Sequence, residues 1–228
     1  MNTKWRRFNS LTGKCYNNMM GIDQDSSCWG AAFDLLKEIV REERSRDAGY
    51  AQELYQLDDV TDFVYDIEGW LEDYIGELDM RGMWEELLEV CVDMLEMFAW
   101  KEISSSDFDF LRISALGNLG RNEEAVRLSR EWMEKEEDNM LAVSSGVYAY
   151  MNGGNYEEAE ALIEKYIHED TECTDENEVL FIAAGELYKV SGNQEAERRI
   201  EKILEEYDEV VEQELMEWDE DGEELPFS

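Results

Sequence analysis

The sequence holds a single proline in 228 residues, Pro226. Proline interrupts helix interiors by removing a backbone donor and clashing with the preceding turn, so helix is open to almost the whole chain. There is one histidine, His168, and the four cysteines, Cys15, Cys28, Cys91 and Cys173, include no CxxC pair. Structural zinc takes four Cys or His ligands at close spacing, and that pattern is missing. So are GxGxxG, the P-loop and HExxH. One histidine permits at most one His-based triad, and His168 sits before Glu169 and Asp170 at an expected helix end, where a cation is electrostatically welcome. Among 58 acids, close carboxylate pairs arise by chance and do not indicate glycosidase chemistry. Asp219-Glu220-Asp221-Gly222 resembles part of a calcium loop, but its glycine comes too early and no closing Glu fits before Ser228. No enzyme activity, cofactor or metal is expected.

Basic residues are scarce as well: 20 Lys and Arg against 58 Asp and Glu, a net charge of −38. Such a chain is repelled by nucleic acid and by anionic membranes and attracts basic partners. No apolar run reaches membrane-spanning length. Lys4, Arg6 and Arg7 are not followed by the apolar core of a signal peptide. The expected location is cytoplasmic, with the cysteines as thiols; a Cys15–Cys28 disulfide is the alternative.

What is present is apolar material and helix formers. The chain is 43% hydrophobic and 11% aromatic, enough for a sizeable core despite 34% charged residues. Residues 1–22 contain Lys4, Arg6, Arg7 and Lys14 and no acid. Residues 1–25 are expected to form a basic, irregular arm, lying across the acidic body or docking elsewhere. Residues 26–65 are expected to be helices packing on the hairpins that begin at residue 66. Trp29, Phe33, Leu36 and Val40 recur at helical spacing. From Leu54 the stripe runs through Leu57, Val60, Val64, Ile67, Leu71, Ile75 and Leu78, one long helix or two meeting near Asp59.

Four turns are alike. Gly82-Met83-Trp84-Glu85-Glu86-Leu87, Gly120-Arg121-Asn122-Glu123-Glu124-Ala125, Gly154-Asn155-Tyr156-Glu157-Glu158-Ala159 and Gly192-Asn193-Gln194-Glu195-Ala196 each place a glycine before an acidic helix start. Glycine takes the left-handed conformation that ends many helices, and acids favour the positive end of the next helix. The glycines are 38, 34 and 38 residues apart. Residues 66–218 are therefore expected to form helical hairpins, ending in a long helix that caps the core. Residues 219–228 are expected to be an acidic, disordered tail.

A two-helix unit of about 34 residues resembles the tetratricopeptide repeat (TPR). The family pattern matches Phe181, Ala184-Gly185, Tyr188, Ala196 and Ile200 in the fourth unit, and Val143, Gly146-Val147, Tyr150, Ala159 and Ile163 in the third. The first unit offers Leu71, Tyr74-Ile75, Leu78, Leu87 and Cys91, with Trp70 one residue early; the second offers Asp109, Arg112-Ile113, Leu116, Ala125 and Ser129. The closing proline is missing throughout. The resemblance implies an all-α fold, a right-handed superhelical stack of antiparallel helix hairpins, or TPR-like α-solenoid. It also implies a scaffold that binds a protein or peptide, basic ones favoured by the charge, in a groove lined by the first helix of each hairpin. By matching positions, that groove presents Phe110, Ser114, Asn118, Ser144, Ser145, Tyr148, Asn152, Glu186 and Lys189. Lys189 is the only base among them, which argues against an acidic C-terminal peptide as ligand.

Two other expectations stand beside this one. The acidity would also suit a nucleic-acid mimic that inhibits a DNA-binding protein, although the acids scatter over helix exteriors. The stripe Ile200, Leu204, Tyr207, Val211, Leu215 and Trp218 would suit a homodimer through the last helix.

Overall fold

The computed structural model describes residues 3–221, except for the side chains of residues 214, 215 and 217–221. Eleven α-helices and no strands occur among the described residues: α1 (Thr3–Met19), α2 (Ser27–Arg46), α3 (Gln56–Asp59), α4 (Ile67–Met80), α5 (Trp84–Met97), α6 (Ser106–Asn118), α7 (Asn122–Lys135), α8 (Met140–Asn152), α9 (Tyr156–Tyr166), α10 (Glu178–Ser191) and α11 (Gln194–Asp221). None is long and apolar enough to cross a membrane. The chain divides into two compact units, Met1–Asp109 and Phe110–Ser228. The hairpin α4–α5, expected to open the repeats, thus belongs with the amino-terminal helices.

The first unit is built on aromatic rings. Trp29 of α2 stacks on Trp70 and Tyr74 of α4 at centroid distances of 6.1 and 5.7 Å, and Phe8 of α1 meets Trp70 edge-on at 5.1 Å. Each aromatic side chain buries a large area, and such offset or edge-on pairs add about 0.5–1.5 kcal/mol beyond it. Residues 3–19 are accordingly not irregular. They form α1, whose Trp5, Phe8, Thr12 and Cys15 are buried. Of the arm's four bases, Lys4 is used inside the unit, where it pairs with Glu38, at 2.9 Å, and with Glu42 on α2. Cys15 and Cys28 stand side by side as thiols, and burial pushes the Cys15 thiol up to about 12.

The stripe from Leu54 breaks where it was expected to continue. α3 is only four residues long, and Val60 and Val64 are exposed. The buried carboxylate of Asp58 accepts from the backbone N–H groups of Ile67 (2.7 Å) and Glu68 (3.0 Å). It caps α4 across the intervening loop and serves no helix starting at Asp59.

Gly82, Gly120, Gly154 and Gly192 all have positive φ, between 65° and 78°. The residue after each donates to the carbonyl five positions back: Met83 to Leu78, Arg121 to Leu116, Asn155 to Tyr150 and Asn193 to Tyr188. This is the hydrogen bond of the Schellman helix ending. Gly21, between α1 and α2, has φ 72° and the same bond, from Ile22 to Asn17.

In the second unit α8 is the central helix, packed against α7, α9 and α10, while α10 also packs on α9 and α11. Val143, Val147, Ala159, Ile163, Phe181, Ala184, Tyr188 and Ile200 share one buried core. At Gly146 an added Cβ would lie 3.0 Å from Leu162 and Met133, so bare backbone is what lets α7 and α9 close on α8. α11 continues to Asp221, three residues into the segment expected to be a disordered tail; Leu215 and Trp218 of the expected dimer stripe, and residues 222–228, lie outside the described side chains or backbone.

Candidate functional site

The nine residues expected in the groove all lie on α6, α8 and α10 of the second unit. Three observations bring these helices together along one face. Phe110 of α6 meets Tyr148 of α8 edge-on at 6.1 Å. The Asn152 side chain rests on Gly117 of α6, so closely that an added Cβ would sit 2.5 Å from its amide nitrogen. Glu186 of α10 is the acidic neighbour of the Tyr148 hydroxyl. Burial first, and Glu186 second, push that phenol up to about 12.

Along the face, Phe110, Ser114 and Tyr148 are half-buried, while Asn118, Asn152, Glu186 and Lys189 are exposed. Asn118 donates its amide to the Ser114 carbonyl at 3.1 Å, and the Asn152 carbonyl accepts from the Asn122 side chain at 3.2 Å. Both asparagines keep acceptor or donor capacity for a ligand.

Ser144 and Ser145 are not on offer. Both are 1% exposed, and their hydroxyls donate back to the carbonyls of Met140 (2.8 Å) and Ala142 (2.7 Å). Serine can satisfy itself in this way inside a helix, so its polarity does not mark an open surface. The position missed from sequence is Ile182. It is 40% exposed, and with Glu186 and Lys189 it follows the i, i+4, i+7 spacing of one helix side. Its neighbour Phe181 is fully buried instead. Adjacent apolar residues gave no way of telling which faced out.

Phe110, Ser114, Asn118, Tyr148, Asn152, Ile182, Glu186 and Lys189 include one acid and one base. These eight residues carry no net charge in a chain where acids outnumber bases 58 to 20, and the exposed Asp107, one turn before Phe110 on the same side of α6, brings an acid to the strip's end. Chemically the strip can hold extended backbone through amides and seat apolar side chains against the rings. No family model, curated protein or solved structure matches the chain.

Proposed function

We propose that the second unit is a TPR-like stack of hairpins with right-handed superhelical sense, and that its α6–α8–α10 face holds a segment of a partner protein. The observation that carries the proposal is the neutral, aromatic and amide-rich strip on an otherwise strongly acidic chain. High net charge elsewhere keeps the surface solvated and holds other acidic molecules off, and a face that lacks it is open to a partner. The shared turn geometry and the common core of α8 to α11 support the repeat reading. The protein is a binding scaffold, not a catalyst, on this proposal. Phe110 and Tyr148 are the anchors, since half-buried aromatics carry most binding energy at such surfaces. Asn118 and Asn152 bond the ligand backbone, and Lys189 with Glu186 tunes its charge.

The test is recovery of partners by the intact protein and by Phe110→Ala and Tyr148→Ala, with melting temperatures checked. Recovery should weaken at least about tenfold, the scale of losing an aromatic hot spot. Unchanged recovery in both variants sinks the assignment of this face.

A further inference from the structure

A second surface of the same unit has a different chemistry. The loop joining α9 to α10 runs from Ile167 to Asn177, eleven residues, where the equivalent α7–α8 connection has four. α9 is three residues shorter than α7, which together accounts for the 38-residue spacing of Gly154 and Gly192 against 34 for Gly120 and Gly154. Long ordered loops on a helical scaffold are where binding is concentrated. This one is held in shape by its own bonds. Thr171 accepts from His168 N–H at 2.8 Å, Asn177 accepts from Thr174 N–H at 2.8 Å, and the Asn177 amide donates to Glu172 at 3.0 Å. The Tyr207 hydroxyl of α11 donates to Asp175 and ties the loop to the helix.

Between loop and helix lies a groove of about 1050 Å³. Its floor is Ile203, Tyr207, Val210 and Val211 of α11, at helical spacing. Val210 is 52% exposed, whereas Ile200, earlier on the same helix, is fully buried in the core. Its walls supply Glu169, Asp170, Glu172, Asp175, Glu176 and Glu206, and no base lines it among the described residues. Cys173, half-buried in the same groove, registers the field: burial, then Glu178, Asp208 and Asp175, push its thiol up to about 11.

We propose that this groove docks a basic amphipathic helix of another protein, with apolar side chains on the α11 floor and Lys or Arg against the loop carboxylates. An apolar stripe seated on an apolar floor is the helix-in-groove mode of recognition. The opposed charges fix orientation and speed encounter. A second copy of this chain is a poor occupant, because like charges across an interface are strongly unfavourable. The groove uses none of the α6–α8–α10 face residues, so the two sites stand or fall separately.

Cys173 is the built-in probe, since Cys15, Cys28 and Cys91 are buried. The full-length protein is labelled with a cationic methanethiosulfonate reagent, with and without a synthetic helix of about five turns carrying Leu on one face and Lys on the other. Cys173 is expected to react at least about tenfold more slowly with the peptide present, the effect of a low-micromolar complex at saturating peptide. Replacing its Lys by Glu, or its Leu by Ser, should abolish the protection. Val210→Asp should abolish it too with the melting temperature unchanged, while Tyr148→Ala should leave it intact. Absence of protection by the Leu/Lys helix, or equal protection by the Ser/Lys peptide, overturns the proposal.

Discussion

At the scale of single residues, glycine fills two different roles. Gly154 has φ +76° with open space around its Cα, so only backbone conformation demands it. Gly185 has ordinary φ, and an added Cβ would lie 3.5 Å from Ile200, a normal contact. Gly154→Ala should therefore cost about 1–2 kcal/mol, the penalty of a left-handed non-glycine residue. Gly185→Ala should be neutral or stabilise by up to about 1 kcal/mol, because alanine is the better helix former. Urea unfolding midpoints check both signs. Tyr148 gives a pH prediction at the same scale. An unfolded tyrosine ionises near 10, whereas the folded Tyr148 holds its proton up to about 12. A raised folded pKa leaves stability untouched below pH 10 and removes it as pH climbs from about 10 to about 12. Tyr16, also pushed up to about 12 by burial, adds to the loss. Tyr148→Phe should keep more of its neutral-pH stability at pH 11 than the parent does. Urea unfolding across that range reads the difference, and an equal loss in the two proteins would remove Tyr148 from the explanation.

Among elements, those written in local chemistry were legible and those written in tertiary contacts were not. The glycine turns and the acidic helix starts could be read off directly, because left-handed backbone and helix dipoles act within a few residues. Residues 3–19 could not. Their apolar period is interrupted by Thr12 and Asn18, both buried and both bonded: Thr12 to Asn9, and Asn18 to Asp23, Trp29 and Arg81. A polar residue satisfied by distant partners reads as loop in a linear sequence. The site shows the same limit. Phe110, Tyr148 and Asn152 were placed by matching positions to the TPR pattern, but the burial of Ser144 and Ser145 and the exposure of Ile182 depend on which neighbours α8 and α10 meet. The break between α3 and α4 is the clearest case. The stripe through Val60 and Val64 suggested one long helix or two meeting near Asp59, yet Asp58 lies nine positions before the Ile67 N–H it caps. Asp58→Ala should cost about 1–3 kcal/mol, for it leaves one buried and one half-buried donor without their acceptor. The exposed neighbour change Asp59→Ala should stay within about 0.5 kcal/mol. Thermal or urea unfolding of the pair decides whether the cap, and not charge removal, sets the stability of α4.

For the whole molecule the governing quantity is the net charge of −38. Self-repulsion destabilises a compact chain of one sign, and salt screens exposed charges over about 10 Å at 0.1 M. The ion pairs that salt would weaken most join two exposed side chains, as in Arg121–Glu124, Arg127–Glu131 and Lys202–Glu206, and exposed pairs contribute little. The melting temperature should therefore rise between low and moderate NaCl; a fall would show that pairing outweighs repulsion. Against this acidic background, the α6–α8–α10 face is the docking surface we propose for a partner. That role is tested most directly by placing the photo-crosslinking residue p-benzoylphenylalanine at Ile182, and separately at the exposed Glu131 of α7, in the full-length protein in cell extract. A discrete crosslinked partner is expected from position 182, lost on adding Tyr148→Ala, and none from position 131. Crosslinking from 131 alone, equally from both, or from neither would contradict the assignment.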